Sequence, residues 1–306
     1  MSRRLVVLFG PTGVGKSELA GCLATRFPGL EIVNADSLQV YRYLDIGTAK
    51  PSAATRQAIP HHLIDIVDPD VQFDAGQFVR RAEQAISEIL ARGGLPLLCG
   101  GTAYYLRSFI CGLPEAPASN PMIRRQLKDE LADKGLEPLL AELARLDPVT
   151  RSAVAEADAY RVLRALEVHR ATGRPLSSFA NPDRPRADYT FLTLGLARER
   201  PELYRRIDVR VEGMFVAGLS REVAGLLARG YGAGDPGLHG IGYREFFLMQ
   251  RGCWTLSDLR EAIQRNSRRY AKRQITFFKS LPSVQWLPAG EPERVVRRIN
   301  GFLAAS

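Results

Sequence analysis

The chain has 306 residues, with 42 Lys and Arg against 33 Asp and Glu, for a formal net charge of +9 at pH 7. A hydrophobic fraction of 45% with 25% charged residues excludes a disordered chain, and no apolar run approaches the ~18 residues a membrane span needs. At roughly 100–200 residues per domain, the length implies two domains or one large domain carrying an insertion.

Met1-Ser2-Arg3-Arg4 precedes an apolar stretch, Leu5–Phe9, too short for a signal peptide and reading as a buried strand that ends in glycine. Leu19, Ala20, Leu23, Ala24 and Phe27 then recur at helical spacing until Pro28-Gly29. Glu31–Ala35 reads as a second strand and Leu63–Val67 as a third. Ala82, Ala85, Ile86, Ile89 and Leu90 mark a helix closed by Gly93-Gly94, and Leu95–Cys99 is a strand leading into Gly100-Gly101-Thr102 and more helix. Strands alternating with helices predict a mostly parallel α/β sheet covered by helices.

Three prolines (Pro114, Pro117, Pro121) mark a change of composition after Gly112. Leu127, Leu131, Leu139, Leu140, Leu143 and Leu146 predict helices, and Pro175, Pro182 and Pro185 close the segment before the strand Phe191–Ala197. Residues 115–190 are therefore expected to be a helical insertion in a core made of 1–114 and 191–306. From Leu203 to Leu227 one apolar helical face is predicted, ended by Gly230, followed by a basic helix over Leu256–Ser280 and a strand at Val284–Leu287. Cys22, Cys99, Cys111 and Cys253 form no CxxC pair, which points to reduced thiols in a cytoplasm.

The positive charge is not spread evenly. Residues 1–114 carry 11 basic and 10 acidic side chains, 115–195 carry 12 and 12, and 196–306 carry 19 and 11. A basic last third fits a nucleic-acid partner, and it equally fits a solvated helix face in a chain where Arg outnumbers Lys 36 to 6.

Gly10-Pro11-Thr12-Gly13-Val14-Gly15-Lys16-Ser17 matches GxxxxGK[ST] between a strand and a helix. Its glycines let successive N–H groups turn inward, and the helix N-terminus adds partial positive charge. Lys16 supplies a point charge to phosphate oxygens, and the Ser17 hydroxyl suits Mg²⁺. Phosphate binding follows, with ATP among the expected nucleotides. Asp36 ends the second strand, but Ser37-Leu38-Gln39-Val40-Tyr41 continues with groups suited to reading a base, and a small-molecule kinase stays an alternative at this point.

Several strings together resemble the tRNA dimethylallyltransferase family, bacterial type. They are Gly10–Ser17, Asp36–Tyr41, Asp45-Ile46-Gly47-Thr48-Ala49-Lys50-Pro51, Pro60–Ile66 and Gly100–Thr102, then Arg164–Val168, Ile241–Glu245 and Tyr270-Ala271-Lys272-Arg273-Gln274. They fall in family order from about residue 10 to 280. The resemblance implies a P-loop NTPase-like α/β core. It implies transfer of a dimethylallyl group from dimethylallyl diphosphate to N6 of an adenosine beside the tRNA anticodon, at position 37. Asp36 then serves as general base, Arg210 helps to hold the diphosphate, and Thr102 donates to the departing oxygen. Because the target base lies in a stacked loop, it must be flipped out.

The tRNA contacts implied are Asp36, Ser37, Leu38, Gln39, Thr102, Arg124, Tyr160, Arg161, Val162, Leu163, Arg164, His239, Gly240, Ile241, Gly242, Tyr243, Arg244, Lys272 and Arg273. Arg161 and Arg164 share a helix face by spacing, and Lys272 and Arg273 suit backbone phosphates. The family pattern has Pro-Gln where Ala159-Tyr160 stands and Thr-Trp where Thr276-Phe277 stands; no C₂H₂ finger follows. His61, His62 and His169 are expected to pack or cap, and Trp254, Trp286, Phe277 and Phe278 to lie in the core. Asp65 and Asp68 suit turns as well as a metal. A monomer with no obligate protein partner is expected. The rivals are an adenylate prenyltransferase, a P-loop kinase and a non-catalytic RNA-binding module.

Overall fold

The computed structural model describes residues 3–180, 182–250, 252 and 254–305. The chain divides into two units, Met1–Cys111 with Arg184–Ser306, and Gly112–Asp183. The second unit is thus shorter than the 115–190 read from the sequence. Residues 184–190 belong to the core because Arg186 donates its N–H to Ile110 O at 2.9 Å and pairs with Glu83.

The core opens with β1 (Arg3–Phe9), α1 (Lys16–Arg26), β2 (Leu30–Ala35), α2 (Ala53–Ala58), β3 (His61–His62), α3 (Ala75–Ala91), β4 (Leu95–Gly100) and α4 (Ala103–Cys111). The second unit holds α5 (Pro121–Lys134), α6 (Glu137–Leu146), α7 (Pro148–Ala153) and α8 (Ala159–Thr172). The core resumes with β5 (Tyr189–Ala197), α9 (Arg200–Val216), α10 (Leu219–Ala228), α11 (Arg244–Gln250), α12 (Leu256–Phe278), β6 (Gln285–Pro288) and α13 (Pro292–Ala304).

Six strands form one parallel sheet in the order β3-β2-β4-β1-β5-β6. Leu5–Phe9 is buried without alternation, as a strand covered on both faces must be. One face packs Val7, Phe9, Val33 and Leu98 against Phe78, Ile86, Phe109 and Phe278. The other packs Val6, Leu8, Ile32 and Leu97 against Leu19, Leu23, Ile207 and Ile299. Burying each such aliphatic side chain stabilises the fold by about 1.5–3 kcal/mol. Within the second unit, Leu127, Leu139, Leu143, Val162, Leu163 and Leu166 make a separate apolar cluster.

The third strand is displaced from its expected place. Leu63 and Asp65 have φ of 64° and 57°, which no strand accommodates, so β3 pairs with β2 only through His61 and His62 beside Ile32 and Val33, and Val67 makes an isolated bridge to Tyr41. The predicted helix 203–227 is two helices, because Gly218, at φ 101°, turns the chain between Val216 and Leu219. Phe278 is fully buried, but Trp254 and Trp286 are 37% and 39% exposed and so are not core residues. Trp286 packs one ring edge against Gly195 and Phe9. No helix among the described residues is long and apolar enough to cross a membrane.

Candidate active site

The carboxyl ends of β1, β2 and β4 carry the P-loop, Asp36 and Thr102, in the crevice of an open parallel sheet. Gly10–Gly15 links β1 to α1. Gly13 and Gly15 take φ of 79° and 112°, a turn closed to side chains with a Cβ. A Cβ on Gly13 would also meet Ile207 Cγ1 at 2.9 Å. Val14 N–H is spent on Pro11 O, which leaves the amides of Gly13, Gly15 and the first turn of α1 for an anion.

Lys16 Nζ donates to Gly10 O at 2.8 Å and Pro11 O at 3.0 Å. Burial pushes its pKa down to about 8, and the Arg210 charge acts in the same direction. Arg210 is itself lowered by burial, opposed by Asp36. It donates to Thr12 Oγ1 and to Thr48 O, both at 3.2 Å. The adjacent Cys99 thiol is pushed up to about 11 by burial and stays neutral.

Asp36 follows β2. Its Oδ1 accepts from Leu38 N at 2.9 Å and Gln39 N at 3.3 Å, a turn that aims the carboxylate. No hydrogen bond from a described residue reaches Oδ2. Thr102 follows β4 with its N–H on Ala35 O at 3.0 Å. Its Oγ1 accepts from Ser37 N at 2.8 Å and donates to Ser37 Oγ at 3.1 Å. Asp36, Ser37 and Thr102 are thus stitched together by bonds between adjacent strand ends. Gln39 Nε2 donates to Thr48 O at 3.1 Å, the carbonyl that also receives Arg210.

The stretch 239–244 packs on the same loops. A Cβ on Gly240 would strike Leu38 Cδ1 at 2.5 Å, and Gly242, at φ 99°, lies against Gly47. His239 and Arg244 are exposed and Ile241 is partly so, whereas Gly242 and Tyr243 are buried. Tyr243 covers Gly47 and donates to Glu222 at 2.7 Å, so its ring is packing, not a surface for RNA. Lys272 and Arg273 are exposed on α12, while Ala271 and Gln274 of the same turn are buried.

In the second unit, Arg161 is the exposed arginine of the three that the sequence singles out. Arg124 and Arg164 both pair with Glu167, at 3.2 and 3.3 Å. Glu167 is 1% exposed and also accepts from Ser119 Oγ and Asn120 N. Burial works to raise its pKa, but these bonds hold it below the usual carboxylate range. The Arg124 guanidinium lies 4.8 Å from the centre of the Tyr160 ring, which is 63% exposed. The side chains of Val162 and Leu163 are buried in the apolar cluster and offer no contact surface.

Sequence reasoning missed several residues of the site. Arg206 donates to Gly13 O at 3.0 Å and Arg198 to Val14 O at 3.2 Å, so two more cations brace the P-loop. The four-residue spacing of Arg206 and Arg210 on α9 was a readable signal for one of them. Glu222 accepts from Asp45, Ile46 and Gly47 N–H at 2.7–3.1 Å, fixing the loop that presents Thr48; nothing in the sequence marks it. The Tyr270 phenol, pushed up to about 12 by burial and then by the Asp36 charge, lies beside Thr102 and Gln274. Asp65 pairs with Lys50 and Arg56, and Asp68 with Arg42, which are structural bonds. His61 and His62 bind Ile59 O and Glu31.

Among the described residues no three His, Cys, Asp or Glu side chains converge as a metal cage. The hydroxyl of exposed Ser17, at the start of α1, is the kind of oxygen that would hold a Mg²⁺ beside a diphosphate.

A family model described as IPP transferase matches residues 39–281. A tRNA dimethylallyltransferase of Geobacter sulfurreducens is 45% identical over 93% of this chain and 91% of its own length. One from Citrifermentans bemidjiense is 47% identical over 98% and 97%. The crystal structure of a tRNA isopentenylpyrophosphate transferase from Bacillus halodurans superposes with a TM-score of 0.72 at 35% identity, covering 99% and 97% of the two chains. A eukaryotic dimethylallyltransferase described as acting on tRNA superposes with a TM-score of 0.81 at 29% identity, covering 99% and 80%.

Proposed function

The chain belongs to the IPP transferase family, and from that premise we propose how its residues act and on which part of tRNA. It is a prenyl transferase that moves a dimethylallyl group onto tRNA. The acceptor is N6 of the adenosine beside the anticodon, at position 37, in the anticodon stem-loop.

One observation carries this reading: Asp36, Thr102 and the P-loop stand at the ends of three adjacent strands. N6 attacks the allylic carbon that bears the diphosphate. The carbon–oxygen bond breaks, its electron pair leaves with pyrophosphate, and the N6 proton passes to Asp36 Oδ2. Thr102 donates to the departing oxygen. The P-loop amides, Lys16 and Arg210 oppose the charge that builds on the leaving group, in a site where such donors are fixed in advance. Ser17 would hold Mg²⁺, which would supply partial neutralisation of the diphosphate charge.

The second unit supplies RNA contacts through Arg161 and the Arg124–Tyr160 pair, and Lys272 and Arg273 take backbone phosphates. We place the enzyme in the cytoplasm, where tRNA is modified, and read it as a monomer.

The assay is transfer from labelled dimethylallyl diphosphate with tRNA, AMP or ATP as alternative acceptors. Label entering tRNA alone supports the reading. Label entering AMP or ATP marks an adenylate prenyltransferase, and absence of transfer leaves a kinase or an RNA binder.

A further inference from the structure

We propose that Gln274 is a positioning residue that sets the separation between the diphosphate cradle and the Thr102 hydroxyl; this rests on the reading of the site just given. Gln274 projects from α12 and is 3% exposed. Its Oε1 accepts from Thr12 N at 2.9 Å, and its Nε2 donates to Gly101 O at 2.6 Å. Thr12 follows β1 and Gly101 follows β4, neighbouring parallel strands whose last paired residues are Phe9 and Gly100. One carboxamide therefore spans the loop that cradles the diphosphate and the loop that carries the donor to the departing oxygen.

The requirement is chemically narrow. Among side chains of this length only the amide both accepts and donates at neutral pH; ionised Glu lacks the donor, Lys and Arg the acceptor, and Met has no donor and only a weak acceptor. The partners fix which end is which, because Thr12 presents an N–H and Gly101 a carbonyl. The close fit extends to Gly101, where a Cβ would stand 2.9 Å from Gln274 Nε2 and 3.6 Å from Lys16 Nζ. From the other side Arg210 holds Thr12 Oγ1, so Thr12 is gripped by α9 and α12 together. With its own N–H committed to Gln274, Thr12 adds no backbone donor to the cradle and serves as its fixed edge.

Releasing that edge lets Thr102 drift relative to the bridging oxygen, and donor placement errors of about 1 Å are costly to turnover. The effect belongs on kcat, because Gln274 is 3% exposed and both ends of its amide are engaged inside the protein.

The experiment uses the full chain with tRNA and dimethylallyl diphosphate, comparing Gln274→Met and Gln274→Glu with the unaltered protein over a pH range of about 5.5–8.5, with melting followed in parallel. Gln274→Met is expected to lower kcat about ten- to hundredfold, the effect of one or two unmet buried hydrogen bonds, with KM for tRNA unchanged. Gln274→Glu is expected to be equally slow at high pH, where an ionised carboxylate faces Gly101 O. Its kcat relative to the unaltered chain then climbs as pH falls, because the protonated carboxyl donates O–H to that carbonyl as the amide does. The ratio for Gln274→Met stays flat with pH.

A purely structural role would lower melting without producing that pH-dependent recovery. A flat ratio for Gln274→Glu, an unchanged kcat in Gln274→Met, or an effect confined to KM for tRNA overturns the proposal. If the unaltered chain transfers no prenyl group to tRNA, the functional reading fails instead. Should Gln274→Met not fold, the pH response of Gln274→Glu decides alone.

Discussion

Binding of dimethylallyl diphosphate is predicted to take up a proton at Lys16. In the empty site burial holds Lys16 at about 8, where the ammonium donates to Gly10 O and Pro11 O. A seated diphosphate supplies the missing counter-charge, so the bound lysine returns toward its ordinary value of about 10.4. The sign follows: affinity is full below about pH 8 and weakens above it, as the free enzyme loses the proton that the complex keeps. The size follows too. Affinity falls about tenfold at pH 9, or about 1.4 kcal/mol, and proton uptake rises from about 0.1 per ligand at pH 7 to about 0.9 at pH 9. The ligand contributes little, because the last ionisation of a phosphate monoester lies near 6. Calorimetry without tRNA, in paired buffers of different ionisation enthalpy, reads both quantities. Lys16→Met is expected to bind weakly at pH 7 and to lose the pH slope. An unaltered enzyme with flat affinity and no proton uptake, or a Lys16→Met variant that keeps the slope, refutes the reasoning.

Two further predictions concern the second unit. Glu167→Ala leaves Arg124 and Arg164 without their buried partner and is expected to cost about 3–5 kcal/mol, read as lost amide-exchange protection in α5 and α8; intact protection there contradicts it. Because the native carboxyl lies below its usual range, its contribution is complete above about pH 4.3 and is lost as pH falls through the native value. Arg161→Ala is expected to weaken tRNA binding and reduce the salt slope by about one. Arg164→Ala should chiefly lower stability, because that guanidinium is held by Glu167 and Pro117 O. Equal changes of salt slope in the two variants would falsify the distinction.

What could be read from sequence was whatever depends on short-range chain geometry. The glycines and Lys16 of the P-loop are set by a turn between one strand and one helix, and Asp36 and Thr102 stand where strands end. The parallel sheet follows from apolar runs alternating with helical periodicity. Legibility ends where a residue's role depends on a distant partner. Gln274 meets Thr12 across 262 residues, Arg206 meets Gly13 across 193, and Glu222 meets Asp45 across 177. Arg124, Arg161 and Arg164 look alike as letters, but buried Glu167 takes two of them and leaves Arg161 exposed. The left-handed Leu63 and Asp65, which shorten β3, carry no glycine signal. α13 was not anticipated, although Val295, Val296 and Ile299 bury one face of it at helical spacing.

The central claim is that Asp36 removes the N6 proton while the P-loop holds the leaving diphosphate. A single-turnover experiment with Asp36→Asn measures it most directly, with tRNA binding followed on the same samples and the modified nucleoside identified after digestion. Unchanged tRNA binding, seated diphosphate and no dimethylallyl-adenosine are expected. Transfer by Asp36→Asn at the rate of the unaltered enzyme would contradict the claim.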